Sequence, residues 1–225
     1  MNATRIAESL VAMQARSLLV IGDVMLDRYI DGHVTRMSPE APVPVLEKNA
    51  ESDMPGGAAN VACNLAAFGC DARLLAVTGD DAAGDRLASL LGSNMAIDFA
   101  RICDPDRPTT QKTRFRSDGQ QVLRVDEELT ASIPDAVQER LLDNVKSQLA
   151  AVDGVILSDY AKGGLPVSLM QQIIAAANDA GIPVIADPKQ PNFSSYAGAS
   201  LLTPNLTELR VATGLADDSL EAIAR

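Results

Sequence analysis

Five short apolar runs set the limits on what this chain can become. They are Ser17 to Ile21, Arg73 to Val77, Gly154 to Leu157, Pro183 to Ala186 and Ser200 to Thr203. Each is strand length, and between them lie stretches with helical spacing of apolar residues: Ala58 to Phe68, Gly84 to Leu91, Pro134 to Ala151, Pro166 to Ala180 and Asn205 to Thr213. Alternation of this kind builds an α/β domain, a mostly parallel sheet covered by helices on both faces. Ligands in such sheets sit beyond the carboxyl ends of the strands. Polar residues gather at those ends: Asp23 and Asp27, Asp159, Asp187 and Asn205.

Composition agrees with that architecture and removes several classes of function. Aromatic residues are 3% and tryptophan is absent, so the core is aliphatic and alanine-rich, which suits helices on a parallel sheet. With 19 basic and 30 acidic residues the net charge is −11, a poor match for nucleic acid or an anionic membrane. No apolar run approaches the roughly 18 residues of a spanning helix. The cysteines, Cys63, Cys70 and Cys103, are odd in number, and the first two lie two helical turns apart, too far for an unstrained disulfide. Free thiols and the lack of an apolar signal segment predict a cytoplasmic protein. His33 is the only histidine, which excludes zinc sites built on two or more.

Three local patterns carry chemistry. Gly56-Gly57 opens the helix at Ala58, where free N–H groups and close backbone approach admit an anion or a hydroxyl, or simply make a tight loop. Residues 101–124 hold six basic side chains against three acids. Within them Lys112, Arg114 and Arg116 alternate, so an extended chain puts all three on one face, either to hold a phosphate or to guard a solvated edge strand. Asn205 with Glu208 has the spacing of a helix N-cap and capping box. Neither Gly-x-Gly-x-x-Gly nor a Walker-type loop occurs.

Gly56-Gly57-Ala58-Ala59-Asn60, running on to Phe68-Gly69, resembles the first pattern of the ribokinase-like sugar kinases, as does Asp27 five residues after Gly22. Longer stretches are more specific. These are 22–29, Arg36-Met37-Ser38-Pro39-Glu40-Ala41-Pro42-Val43-Pro44-Val45, Ser158-Asp159-Tyr160-Ala161-Lys162-Gly163, Ala186-Asp187-Pro188-Lys189 and 202–208. Together they are most similar to the branch acting on D-glycero-β-D-manno-heptose 7-phosphate. The resemblance spans nearly the whole chain. It implies that Asp27, Gly56, Gly57 and Asn60 face the sugar rather than a phosphate, with Asp126 closing the site and Asp23 either a neighbouring substrate contact or simply a strand-end cap. It implies a small β-lid from segments at about 28–50 and 107–125, a 7-phosphate held by Lys112, Arg114 and Arg116 with Arg107, and a homodimer through the lid. It further implies ATP and Mg²⁺ as cofactors, with Asp187, Lys189, Asn205 and Glu208 near the nucleotide phosphates and no direct metal ligand; Lys189 reads otherwise as a surface lysine.

One element of the family pattern is missing. Asp-Thr-x-Gly-Ala-Gly-Asp, whose last acid is the catalytic base, does not occur; Ala82-Ala83-Gly84-Asp85 precedes Asn205 and reads as ordinary helix capping. The base is therefore expected beyond Arg225, after a helical pattern that starts behind Asp217-Asp218-Ser219. On this reading 1–225 is an incomplete ribokinase-like domain. The expected activity is ATP-dependent phosphorylation of the heptose C1 hydroxyl. The alternatives are a ribokinase-like kinase of another sugar, or a fragment that binds sugar phosphate and dimerises without catalysis.

Overall fold

The computed structural model describes residues 5, 8, 11–14, 16–95 and 97–214. Its body is a six-stranded sheet made of β1 (Ser17–Gly22), β4 (Asp71–Thr78), β5 (Asp98–Cys103), β8 (Gly154–Ser158), β9 (Val184–Asp187) and β10 (Leu201–Leu202). They lie in the order β10-β9-β8-β1-β4-β5, and every pairing is parallel. Leu19, Ile21, Leu75, Val155 and Leu157 are fully buried on one side with α3 (Asp135–Gln148) and α4 (Val167–Asp179). Val20, Leu74 and Ala76 face the other side, beneath α1 (Ala58–Ala67) and α2 (Ala82–Met95). Strands buried on both faces explain the unbroken apolar runs.

The helix ends follow the turn chemistry in the sequence. Gly69, at φ 88, leaves α1 in the left-handed region that glycine tolerates. Asn205 caps α5 (Leu206–Thr213) in a complete capping box with Glu208. Asp85 is not the cap of α2. Asp81 accepts the Gly84 N–H instead, and Asp85 pairs with Arg101 at 2.6 Å. Arg101 itself belongs to β5 of the body, a strand hidden in the sequence by its charged residues.

A second, four-stranded sheet rises from the carboxyl end of β1. Its order is β3-β2-β6-β7, with β2 (Val24–Met37), β3 (Pro44–Gly57), β6 (Gln111–Ser117) and β7 (Gln120–Glu127). The 14-residue strands β2 and β3 are antiparallel, and the prolines at 39 and 42 lie in the connection between them. β6 runs parallel to β2 and returns through the Asp118-Gly119 turn into β7. The expected acidic cap at 217–219 and the helix after it lie outside the described residues.

Candidate functional site

Between the two sheets lies an open cleft of about 470 Å³. Its floor is the junction where β3 turns into α1. Gly57 sits there at φ 59, and a Cβ on it would come within 2.3 Å of the Asp23 carbonyl oxygen. A Cβ on Gly56 would lie 2.2 Å from the Asp27 carboxylate. The glycine pair thus lets the backbone close on Asp27, and Asn60, one turn into α1, completes that wall. Asp27, Gly56, Gly57 and Asn60 share the cleft with Lys112 and Arg114. Met25, Tyr29, Met54 and Pro55 supply its apolar surface.

Across the floor stands the loop 159–164, which follows β8. Asp23 organises it from below. Its carboxylate is 5% exposed and accepts the backbone N–H groups of Tyr160, Lys162 and Gly164 at 3.0, 3.0 and 2.9 Å. Burial pushes the Asp23 carboxyl above its ordinary range, only partly offset by those three bonds. With its oxygens so engaged, Asp23 holds the loop and is not among the residues lining the cleft, contrary to the expected substrate contact. Arg107, expected at the phosphate, is likewise turned inward. It is 9% exposed and donates to the carbonyls of Leu129, Ala131 and Lys162, which commits it to the loop framework and not to a phosphate.

The alternating cations do share one face of the second sheet, but the strand register sets an acid beside each. Arg114 meets Asp27 at 2.5 Å, Arg116 forms a fork on Asp31 at 2.7 and 2.8 Å, and Lys112 contacts Asp126 and Glu128 at 3.0 and 3.2 Å. Arg116 stacks over the Tyr29 ring with its guanidinium carbon 4.5 Å from the centroid, and it does not line the cleft. Arg124 and Lys162 take that place. Arg124 was legible as basic; its position depended on the β6–β7 register, which pairs it with Arg114.

The remaining expected residues come together at the ends of β9 and β10. Lys189 Nζ lies 3.1 Å from Glu208, whose other oxygen accepts the Asn205 N–H at 3.0 Å. Burial, then the Glu208 charge, pushes the Asp187 carboxyl upward. Burial pushes the Tyr160 phenol upward, and the Asp187 charge adds to that shift. Among the described residues, no cluster of three His, Cys, Asp or Glu side chains is placed to hold a metal ion.

The chain is similar to known proteins in sequence and in fold. Residues 15–225 match the model of the pfkB family carbohydrate kinases. The chain belongs to that family. It is 46% identical over 217 residues to the bifunctional protein HldE of Azorhizobium caulinodans, covering 96% of this chain and 45% of that protein. It is 48% identical over 204 residues to HldE of a Caulobacter species, covering 91% of this chain and 41% of that protein. The chain therefore spans less than half the length of these relatives. Among solved structures, phosphofructokinase-2 from Escherichia coli matches with a TM-score of 0.73 at 20% identity, over 93% of this chain and 67% of that one. Arabidopsis thaliana ribokinase, solved with ribose and ATP, matches at 0.65 and 22% identity, over 93% and 66%. The fold is ribokinase-like, as the sequence patterns imply. No helix among the described residues is long and apolar enough to cross a membrane.

Proposed function

We propose that this chain supplies the sugar-phosphate side of an ATP-dependent kinase acting on the C1 hydroxyl of D-glycero-β-D-manno-heptose 7-phosphate, with the 1,7-bisphosphate as product. The observation that carries this reading is the composition of the cleft. Asp27, Asn60 and the glycine backbone offer the mixed acceptors and donors that sugar hydroxyls require, and Lys112, Arg114, Arg124 and Lys162 supply positive charge beside them. The second sheet serves as the lid that excludes water from the transfer. Its strand β7 is exposed along its whole length and carries Val122, Leu123 and Val125, which supports a homodimer formed through this sheet.

ATP fits where Lys189, Asn205 and Glu208 meet, at the ends of β9 and β10. Lys189 would meet its phosphates, with Asn205 and Glu208 fixing the lysine and Asp187 nearby. Mg²⁺, when bound with the nucleotide, would neutralise phosphate charge while keeping several of its own waters. The chain as it stands lacks the Gly-Ala-Gly-Asp element. By itself it is therefore expected to bind the sugar phosphate and to turn over no ATP. Titration calorimetry with the heptose 7-phosphate, ribose and fructose 6-phosphate tests the first part, and a coupled ADP assay tests the second. Preference for ribose or fructose 6-phosphate would overturn the substrate assignment, and steady ADP release would overturn the division of labour.

A further inference from the structure

Five charged side chains form a continuous ladder across the cleft. Arg124 Nε meets Asp126 at 2.8 Å, Asp126 meets Lys112 Nζ at 3.0 Å, Lys112 meets Glu128 at 3.2 Å, and Glu128 meets Lys162 Nζ at 2.7 Å. The first rungs stand on β7 and β6, while the last belongs to the body. Lys162 is fixed at three points. Asp23 accepts its N–H at 3.0 Å, Arg107 donates to its carbonyl at 2.9 Å, and Glu128 takes its ammonium. The residue before it, Ala161, sits at φ 54, a left-handed conformation costing a non-glycine residue about 1–2 kcal/mol. Gly163 follows at φ 82, where a Cβ would strike the Ala131 carbonyl at 2.1 Å. So much backbone constraint is spent on aiming one cation into an open cleft.

We propose that Lys162 is the body-side arm of a phosphate receptor completed by Lys112 and Arg124, and that Glu128 occupies the lysines until a substrate phosphate displaces it. This rests on the sugar-phosphate reading above and adds to it the residues that recognise the phosphate. The ladder sets three cations against two carboxylates, so a positive charge is left over to attract a dianion, and each end cation has only one carboxylate partner to give up. Because Lys162 belongs to the body and Lys112 to the second sheet, a phosphate touching both ties the sheet down over the sugar. Glu128 is then a positioning residue. Unlike Arg116, whose fork on Asp31 is already complete, Lys162 retains ammonium hydrogens for a new acceptor.

The test is calorimetry of the full 225-residue chain with the heptose 7-phosphate, the same heptose without phosphate, and inorganic phosphate alone. Lys162→Ala should weaken the sugar phosphate by about tenfold or more and the unphosphorylated sugar by less than about twofold, with Lys162→Arg recovering most of the loss. Glu128→Gln keeps an acceptor between the lysines without its charge, and should tighten phosphate binding several-fold. Equal losses for both sugars with Lys162→Ala, no loss at all, or weaker phosphate binding with Glu128→Gln would overturn the receptor. If the unsubstituted chain binds neither sugar, the proposed function fails instead. The receptor then stands or falls on inorganic phosphate, whose binding must be present and must drop with Lys162→Ala.

Discussion

Asp23 and Asp27 are four residues apart, yet their surroundings give them opposite work. Asp27 faces the cleft, partly buried beside Arg114, while Asp23 is enclosed and its charge is taken up by three backbone N–H groups. An asparagine at 23 has a single acceptor oxygen and would turn an N–H donor toward donors. Asp23→Asn is therefore expected to cost about 1–3 kcal/mol of stability in denaturant melts, and to free the backbone of 160–164 for hydrogen exchange. Unchanged exchange in that loop would contradict the bracing role. At Gly56 the constraint is steric. An added methyl would meet the Asp27 carboxylate at 2.2 Å and Met25 Cγ at 2.7 Å, so Gly56→Ala must displace Asp27 from Arg114. Sugar affinity measured by calorimetry should fall by at least about tenfold, since an overpacked contact of this kind costs about 1–3 kcal/mol. Affinity within twofold of the original would remove Asp27 from the sugar contacts.

At the scale of elements, β1, β4 and β8 lie inside the sheet, and burial on both faces leaves each an unbroken apolar run. The strands β1, β4, β8, β9 and β10 were legible by their apolar runs and the ends of α1 and α5 by Gly69 and Asn205, although β9 and the edge strand β10 leave Ile185 and Leu201 exposed. The second sheet was legible only as a proline-rich stretch and a basic hairpin. Much of β2 and β3 is open to solvent, and their pairing is set by register rather than by a core, so no periodic signal marks their 14-residue length. The same limit applies to the site. Alternation put Lys112, Arg114 and Arg116 on one face, but only the β2–β6 and β6–β7 registers show each beside an acid. The tie between this sheet and the body was invisible for a similar reason. Asp53 on β3 receives Arg28 from β2 at 2.8 Å and Arg86 from α2 at 2.8 Å, across gaps of 25 and 33 residues. Asp53→Ala leaves Arg28, largely screened from solvent, without this acceptor. The substitution should destabilise the chain by about 1–3 kcal/mol and raise exchange in β2 and β3 more than in β1 or β8. Equal changes in both sheets would argue against a local tie.

For the molecule as a whole, the two sheets are held by different forces, and acid should separate them. The body rests on aliphatic burial, whereas the second sheet is laced by ion pairs. Arg116 beside Asp31, Lys48 beside Glu51 and Lys162 beside Glu128 hold those carboxyls below their ordinary range. At Asp53 and Asp126 burial pushes upward but is outweighed by Arg28 with Arg86 and by Lys112 with Arg124. A carboxylate whose folded value is depressed lends stability that is complete above its unfolded value and is lost as pH falls through the folded one. In the body the shifts run both ways. Burial raises Asp23 and Asp187, so protonation relieves a cost there. At Asp81 and Glu208 burial is outweighed by hydrogen bonds and ion pairs, which also hold Asp153 low, and aliphatic burial remains the body's main support. Acidification below the ordinary carboxylate values of 3.8 and 4.5 therefore weakens the second sheet while easing two strains beneath it. Pulsed hydrogen exchange at about pH 5 and about pH 3 should show β2, β3, β6 and β7 losing protection while β1, β4 and β8 keep theirs. High salt at the upper pH should reproduce part of that opening, because exposed pairs are screened and apolar contacts are not. Simultaneous loss of protection in both sheets would mean that the ion-pair lattice does not set the second sheet's stability, and with it that Glu128 and Lys162 are not its latch to the body.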